Sequence, residues 1–287
     1  MRSEKQLALF WLPWLISFIA FSAYPILFSL GVSFLDYDLL SGSIKWAGLG
    51  NYREIFSDGL FWLSLRNTVL FVIGTVLPTA AISLLLAIGI RRTGRLMGCL
   101  RAGYFVPAVI SLAVTSLIFK YIYSPHGFLN LLTQAIGLKP KGWLVDPNLA
   151  LPSIMVMNVW SSVGYYAIFF LAGLETIPDE VFDAAKMDGA GGFSLFRFIT
   201  VPLLKPVLLF VLVINTIRAF QVFVEIVVMT RGGPMGSTMT LVYYMYEKAF
   251  HQTRIGTASA VAMVLFLMIA CFSFFQARMI RHEGETV

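Results

Sequence analysis

Apolar residues fall along this chain in six long runs, separated by short stretches rich in polar residues, glycine and proline. The runs cover about Leu7–Phe34, Asn67–Ile90, Ala102–Tyr123, Leu149–Gly173, Leu203–Thr230 and Ile255–Arg278. An α-helix crosses the hydrocarbon core of a bilayer with roughly 20–25 residues. The pattern therefore predicts an all-α polytopic membrane protein of six transmembrane helices, with little room for a soluble domain. The first run follows Arg2 and Lys5. It is too long for the apolar core of a signal peptide, so a retained anchor is expected. The chain divides into residues 1–66, an amino-terminal helix with the first polar loop, and 67–287, a five-helix core.

Composition agrees. Of 287 residues, 58% are hydrophobic and 13% charged, against about 45–50% and about 25% in soluble domains. This excludes disorder, which needs the opposite balance, and argues against a soluble enzyme. The net charge of +6 would suggest nucleic acid on a soluble protein. Here the basic residues cluster at the ends of apolar runs, which points to membrane orientation and not to nucleic acid. With the amino terminus inside, 11 Lys and Arg fall in 59 inner residues and 8 in 81 outer ones. Arg91, Arg92, Arg95 and Arg101 mark one short loop as inner, and both termini are expected in the cytoplasm. Lys120, near the outer end of the third run, is placed to snorkel outward.

Cys99 and Cys271 lack disulfide or metal-ligand spacing, and His126, His251 and His282 are scattered over loops. No metal site or catalytic histidine is expected. No phosphate-binding loop of the G-x-x-x-x-G-K-[ST] type occurs, so no nucleotide cofactor is expected on this chain by that route.

The inner segment 174–205 concentrates five acids, Glu175, Asp179, Glu180, Asp183 and Asp188, where the positive-inside rule would not put them. A helix is predicted after Pro178, with Asp179 and Glu180 in its first turn, where negative charge suits the helix dipole. It runs to about Met187, and Gly189, Gly191 and Gly192 break it. A second short helix follows, with Phe193, Phe196 and Ile199 on one side, and Pro202 ends the segment. Two readings stand: an amphipathic loop at the headgroups, or a helical docking element for a soluble partner.

Polar groups also occur inside the runs, where they are expensive and point to a pathway. The fifth holds Asn215, Arg218, Gln221 and Glu225, and positions 215, 218, 222 and 225 share one helical face. The fourth holds Asn158, Trp160, Ser161, Ser162, Gly164, Tyr165 and Tyr166. Rings beside amides and hydroxyls suit sugar recognition. Serine and glycine also serve tight helix packing, and Trp and Tyr serve membrane interfaces. Arg218 needs a carboxylate, a phosphate or several carbonyls. Glu225, two turns away, is one candidate partner; an acidic or strongly hydroxylated substrate is the other.

Asp183-Ala184-Ala185, Asp188-Gly189-Ala190 and Pro202 resemble the EAA loop of ABC-importer permeases, with Asp183 in place of the usual glutamate. Gly48-Leu49-Gly50-Asn51-Tyr52, Asn67-Thr68 and Thr230-Arg231-Gly232-Gly233-Pro234 with Ser237-Thr238 are similar to further elements of the carbohydrate-importer branch, of maltose and glycerol-3-phosphate type. The resemblance implies a type I importer fold with a cytoplasmic helix-turn-helix coupling loop. In it Glu180, Asp183, Ala184, Ala185, Asp188, Gly189, Ala190, Phe193, Phe196 and Pro202 would meet an ATPase subunit. It also implies the first of two unlike permeases in a heterodimer, two ATPase subunits that bind ATP and Mg, and an extracytoplasmic solute-binding protein. The setting would be a bacterial or archaeal cytoplasmic membrane. The implied substrate is a small carbohydrate: a di- or oligosaccharide, a polyol or a glycerol phosphate. The substrate path would comprise Asn158, Trp160, Ser161, Ser162, Tyr165, Asn215, Arg218, Ala219, Val222 and Glu225, with Ala108 and Leu112 from the third run. Leu112, Ala219 and Val222 lack the polar groups of the maltose relatives, which argues against a maltose-like cargo. The alternative classes fit less well. An ion-coupled secondary transporter wants intramembrane carboxylates in two repeats, and only Glu225 lies deep in a run. A membrane enzyme wants convergent acid, base or nucleophile groups, which the runs lack.

Overall fold

The structure, a computed structural model, describes residues 11–38, 42–91 and 103–281. Arg2, Lys5, Arg92, Arg95, Cys99, Arg101 and His282 lie outside the described residues. Among the described residues, four helices are long and apolar enough to cross a bilayer: α1 (Trp11–Val32), α3 (Gly59–Ile90), α7 (Ala150–Glu175), which follows the short α6 (Phe128–Ala135), and the last helix, from Ile255. Two bent pairs bring the number of candidate spans to as many as six. One pair is α4 (Gly103–Val109) and α5 (Leu112–Ile122), which meet at 109°; the other is α9 (Gly192–Leu203) and α10 (Lys205–Phe220), at 70°. The third apolar run is thus not the straight helix that the sequence predicts, whereas the second bend falls at Leu204, beside the boundary expected at Pro202 and Leu203. Hydropathy records side chains, not backbone continuity. The second bend has a local cause: Pro206 opens α10 without an N–H to return to Pro202.

The chain forms two compact units. Of the described residues, the first takes those from 11 to 62 and 244–267. It includes a feature not expected of an all-α chain, a small hairpin of β1 (Leu35–Tyr37) and β2 (Ile44–Trp46), with Leu35 opposite Trp46. Three-residue strands are too short to leave a readable alternation. On α2 (Gly50–Ser57), buried Asn51 donates to the carbonyls of Ser33 and Leu35, each at 2.9 Å. Tyr52 hydroxyl meets Ser33 Oγ at 2.8 Å. The G-L-G-N-Y element is therefore a tie between α2 and the chain that leaves α1.

Beside it lies a charge network. Arg254 holds Glu54 through both guanidinium nitrogens. Buried Lys248 sits 3.3 Å from Asp58 and 3.9 Å from Glu54. Tyr244 hydroxyl donates to Asp58 Oδ2 at 2.6 Å, and the Leu60 N–H donates to Oδ1 at 2.9 Å. Partial burial pushes Asp58 up, but the Tyr244 hydroxyl, the Leu60 N–H and the Lys248 charge together bring it below its ordinary carboxyl value. Burial and the Asp58 charge raise the Tyr244 phenol.

Of the described residues, the second unit takes those from 63 to 243 and 268–281. Its core joins three helices: Ala80, Leu84 and Ala87 of α3, Tyr166, Phe170 and Leu174 of α7, and Val211 of α10, with Ile177 and Leu204 from the flanking turns. Helix α4 packs on α7 at Gly164, where an added Cβ would lie 1.9 Å from the Tyr104 carbonyl oxygen. Only a hydrogen fits there. Ser83 Oγ on α3 donates to the Val163 carbonyl at 2.9 Å.

A depressed carboxyl stabilises the fold above its unfolded-state value, and that contribution is lost as pH falls through the folded-state value. Asp58→Asn is expected to lower thermal stability of the detergent-purified protein by about 1 kcal/mol at neutral pH. The gap between wild type and variant should close below about pH 3.8. Melting curves across pH check this; a gap that persists unchanged at low pH refutes it.

Candidate functional site

Within the second unit, a cavity of about 380 Å³ opens where the two broken spans meet α7. Pro107, Ala108, Ile110 and Leu112 line it from the α4–α5 bend. Asn158, Ser161, Ser162 and Tyr165 line it from α7, at the i, i+3, i+4, i+7 spacing of one helical face. Asn215, Arg218 and Ala219 come from α10. Helix α10 stops at Phe220, and a short helix α11 (Val224–Met229) follows. Gln221, Val222 and Phe223 of the gap line the cavity, as do Val224 and Glu225. The face-sharing expected of 215, 218, 222 and 225 on one continuous helix is thus realised differently. The break turns all four positions to the same cavity.

One expectation needs correction. Trp160 is absent from this lining and is 48% exposed. Its ring packs 5.1 Å from Phe119, and it faces an apolar groove of about 870 Å³ with Gly74, Pro78 and Met155. Two residues beyond Asn158 is 200° around the helix, so Trp160 points away while Asn158 points in. Tyr166, buried beside Tyr165 and not among the expected path residues, does line the cavity.

Glu225 is 3% exposed and accepts a 2.7 Å hydrogen bond from Asn158 Nδ2. Glu225 is one of the two candidate partners expected for Arg218; its side-chain hydrogen bond comes from Asn158. The Arg218 guanidinium instead sits 5.4 Å from the centroid of the Tyr165 ring, a cation–π arrangement. The two charges face one cavity from successive pieces of the broken span, each with its own neutral partner. The gap itself is satisfied: Gln221 N–H bonds to the Arg218 carbonyl at 3.1 Å, and the Val222 carbonyl accepts Thr240 Oγ1 at 3.2 Å. Asn215 Nδ2 reaches the Val76 carbonyl at 3.4 Å, which ties α10 to α3.

The expected coupling segment forms helix α8 (Asp179–Met187), with Pro178 at its N-cap and Asp179 and Glu180 in its first turn. Asp183, Ala184 and Ala185 lie in its middle, and Asp183 pairs with Lys186 at 2.8 Å. Its end explains the Asp-Gly-Ala element. Gly189 has φ +82°, its N–H bonds to the Lys186 carbonyl at 3.0 Å, and the Ala190 N–H bonds to Ala185 at 2.9 Å. This is a Schellman cap, which needs a residue at positive φ at position 189. No residue of α8 is buried. The apolar knob differs from that expected. Phe193 is exposed, but Phe196 packs against the core, and Phe198 and Met187 are exposed in its place. A π-helical turn at Phe196–Thr200 adds a residue to the repeat and shifts the phase of the side chains that follow. Pro202 lies inside α9, and the break comes at Leu204.

Two further sequence elements meet in space. Asn67 Nδ2 on α3 donates to the carbonyls of Gly236 and Met239 at 3.0 and 2.9 Å. Thr68 Oγ1 accepts the Leu241 N–H at 2.9 Å. Thr238 Oγ1 pairs with Thr230 Oγ1 at 2.8 Å and donates to the Gly233 carbonyl at 2.8 Å. The Asn-Thr and Gly-Gly-Pro elements together brace one loop.

Apolar helices around a polar cavity, with an exposed helical arm between two of them, are the make-up of a membrane permease subunit. The chain belongs to the family described as "Binding-protein-dependent transport system inner membrane component", whose model matches residues 61–282. It is 38% identical over 262 residues to the lactose transport system permease protein LacF of Rhizobium radiobacter, covering 89% of this chain and 87% of that one. It is 32% identical to the sn-glycerol-3-phosphate transport system permease protein UgpA of Agrobacterium fabrum, covering 93% and 92%. It is 34% identical to the probable ABC transporter permease protein YurN of Bacillus subtilis, covering 96% of each. Its fold is that of a chain from a bacterial ABC transporter involved in import of the acidic polysaccharide alginate, with a TM-score of 0.84 at 22% identity over 98% of this chain and 96% of that one. The chain is a multi-pass permease of the inner-membrane family, a transport subunit.

Asn158→Ala removes a side chain that donates to the buried Glu225 carboxylate. It is expected to lower stability by about 1–3 kcal/mol, and adding Glu225→Gln should restore part of the loss. Thermal melts of the single and double variants measure this; equal stability of wild type and Asn158→Ala refutes the contact.

Proposed function

We propose that this chain is one of two unlike permease subunits of an ATP-driven, binding-protein-dependent carbohydrate importer. The observation that carries the reading is the cavity. It gathers amide, hydroxyl, guanidinium and carboxylate groups with tyrosine rings inside an otherwise apolar helix bundle. A sugar offers apolar faces to rings and hydroxyls to donors and acceptors, and this lining supplies both. Relatives named for lactose, glycerol-3-phosphate, arabinooligosaccharide and sulfoquinovosyl glycerol transport support the substrate class. A solved alginate transporter of this fold in complex with a substrate-bound periplasmic protein supports an external binding protein as delivering partner.

In this reading both termini and α8 face the cytoplasm, in the six-span arrangement. ATP and Mg bind to separate ATPase subunits, and one of these receives α8 and the exposed Met187, Phe193 and Phe198. Residues 180–202 are the coupling surface, and residues 158–165 and 215–225 the translocation path. ATP and the loaded binding protein shift the membrane dimer only to the extent that each prefers one of its states. The residues of α8–α9 are the route by which those preferences reach α7 and α10.

Gly189→Trp should abolish binding-protein-stimulated ATPase activity of the purified complex. Because Trp is strained at this φ, Phe193→Ala, which alters an exposed side chain, serves as a second variant and should also lower stimulation. Normal stimulation in both refutes the docking role. Arg218→Gln should weaken uptake affinity several-fold with assembly intact. Unchanged affinity in the assembled variant refutes substrate contact by Arg218.

A further inference from the structure

Helix α8 has no buried residue, so apolar packing alone holds it weakly to the membrane helices. Its amino-terminal turn is nonetheless tied down by one side chain. Arg91, the residue after α3 ends at Ile90, reaches across to it. Arg91 Nη2 donates to Asp179 Oδ1 at 2.8 Å and to the Ile177 carbonyl at 3.4 Å. Its guanidinium carbon lies 4.5 Å from the centroid of the Phe182 ring. Phe182 in turn packs on the α3–α7–α10 core.

Three contacts from one planar group address the turn before α8, its first residue and its second turn. The guanidinium offers several donors in a rigid fork and a flat face for stacking, which a lysine cannot reproduce. The position is also electrostatically apt, with the cation at the carboxy-terminal end of α3 and Asp179 at the amino-terminal end of α8. Chain connectivity links α8 to α7 through Ile177 and to α10 through α9. It provides no link to α3, which lies far away in sequence.

We propose that Arg91 is a positioning residue that clamps the coupling helix to α3, so that a push on α8 moves α3 together with α7 and α10. The inference rests on the coupling role given above to α8. Arg91 touches neither nucleotide nor cargo in this scheme. Its effect passes through the orientation of α8.

The test uses the full complex of this permease with its partner permease, ATPase subunits and binding protein, reconstituted in liposomes. Arg91→Ala should leave co-purification of the ATPase and the basal ATPase rate as in wild type, and reduce the binding-protein-stimulated rate by about five- to tenfold. Arg91→Lys, which keeps charge but not the fork or the stacking face, should fall between the two. Asp179→Asn and Phe182→Leu should each give part of the loss, and neither should add fully to Arg91→Ala. A stimulated rate for Arg91→Ala within twofold of wild type overturns the clamp. So does a parallel fall of basal rate, stimulated rate and ATPase co-purification, which marks a general structural role. Gly189→Trp and Phe193→Ala run alongside. If both keep full stimulation, the coupling role of the loop itself fails. If they lose it while Arg91→Ala does not, only the clamp is overturned.

Discussion

A peptide bond inside hydrocarbon must find its hydrogen bonds within the protein. That constraint decides where the helices of this permease can break. Both breaks beside the polar cavity, at Ile110–Ser111 and at Gln221–Phe223, contribute to its wall, the first through Ile110 and the second through Gln221, Val222 and Phe223. At the second, the freed groups are served by Arg218, Ala219 and Thr240. The cavity and the breaks are thus one feature. Without the break at 221–223, Glu225 would sit on the same straight cylinder as Arg218, and the lining would lose the backbone turn that now forms part of its wall. This arrangement sets a buried acid, Glu225, and a base, Arg218, on one cavity lining, and each has a neutral neighbour, Asn158 for the acid and Tyr165 for the base.

A second constraint acts on α8. No residue of α8 is buried, so its shape rests on the structures at its ends. Pro178 starts it, the cap at Gly189 stops it, and the π-turn at Phe196–Thr200 turns Phe196 inward and Phe198 outward. The core beneath, built from Leu174, Ile177, Leu204 and Phe182, gives the arm a base common to α3, α7 and α10.

Much of this was legible in the residues, and the gaps have physical causes. The fourth and sixth apolar runs match Ala150–Glu175 and Ile255–Arg281 closely, because nothing interrupts them. The second helix starts at Gly59, ahead of the expected Asn67, because its first turns carry Ser64 and Arg66 and so escape an apolar window. The bend in the third run and the break at 221–223 in the fifth left no hydropathic trace. Eleven of the twelve expected path residues line the cavity; the twelfth, Trp160, falls outside the i, i+3, i+4, i+7 spacing of Asn158, Ser161, Ser162 and Tyr165. The partner of Glu225 was not legible, since Asn158 lies 67 residues away and only the packing of α7 on α11 brings it near. The loop motifs were readable as signatures but not as structure. Only in three dimensions does Asn67 prove to be the brace of the loop at 236–239, and Asn51 the tie to Ser33 and Leu35.

The contact at Gly164 has a consequence for how such a chain can change over generations. A methyl group there would collide with the Tyr104 carbonyl, a backbone atom that no rotamer can move aside. A substitution at 164 is therefore tolerable only after the turn around Tyr104 has shifted, and a shift of that turn leaves a void unless 164 has already grown. The two positions are locked in mutual epistasis: each forbids the first step of the other, and drift between α4 and α7 must pass through a paired change or not occur.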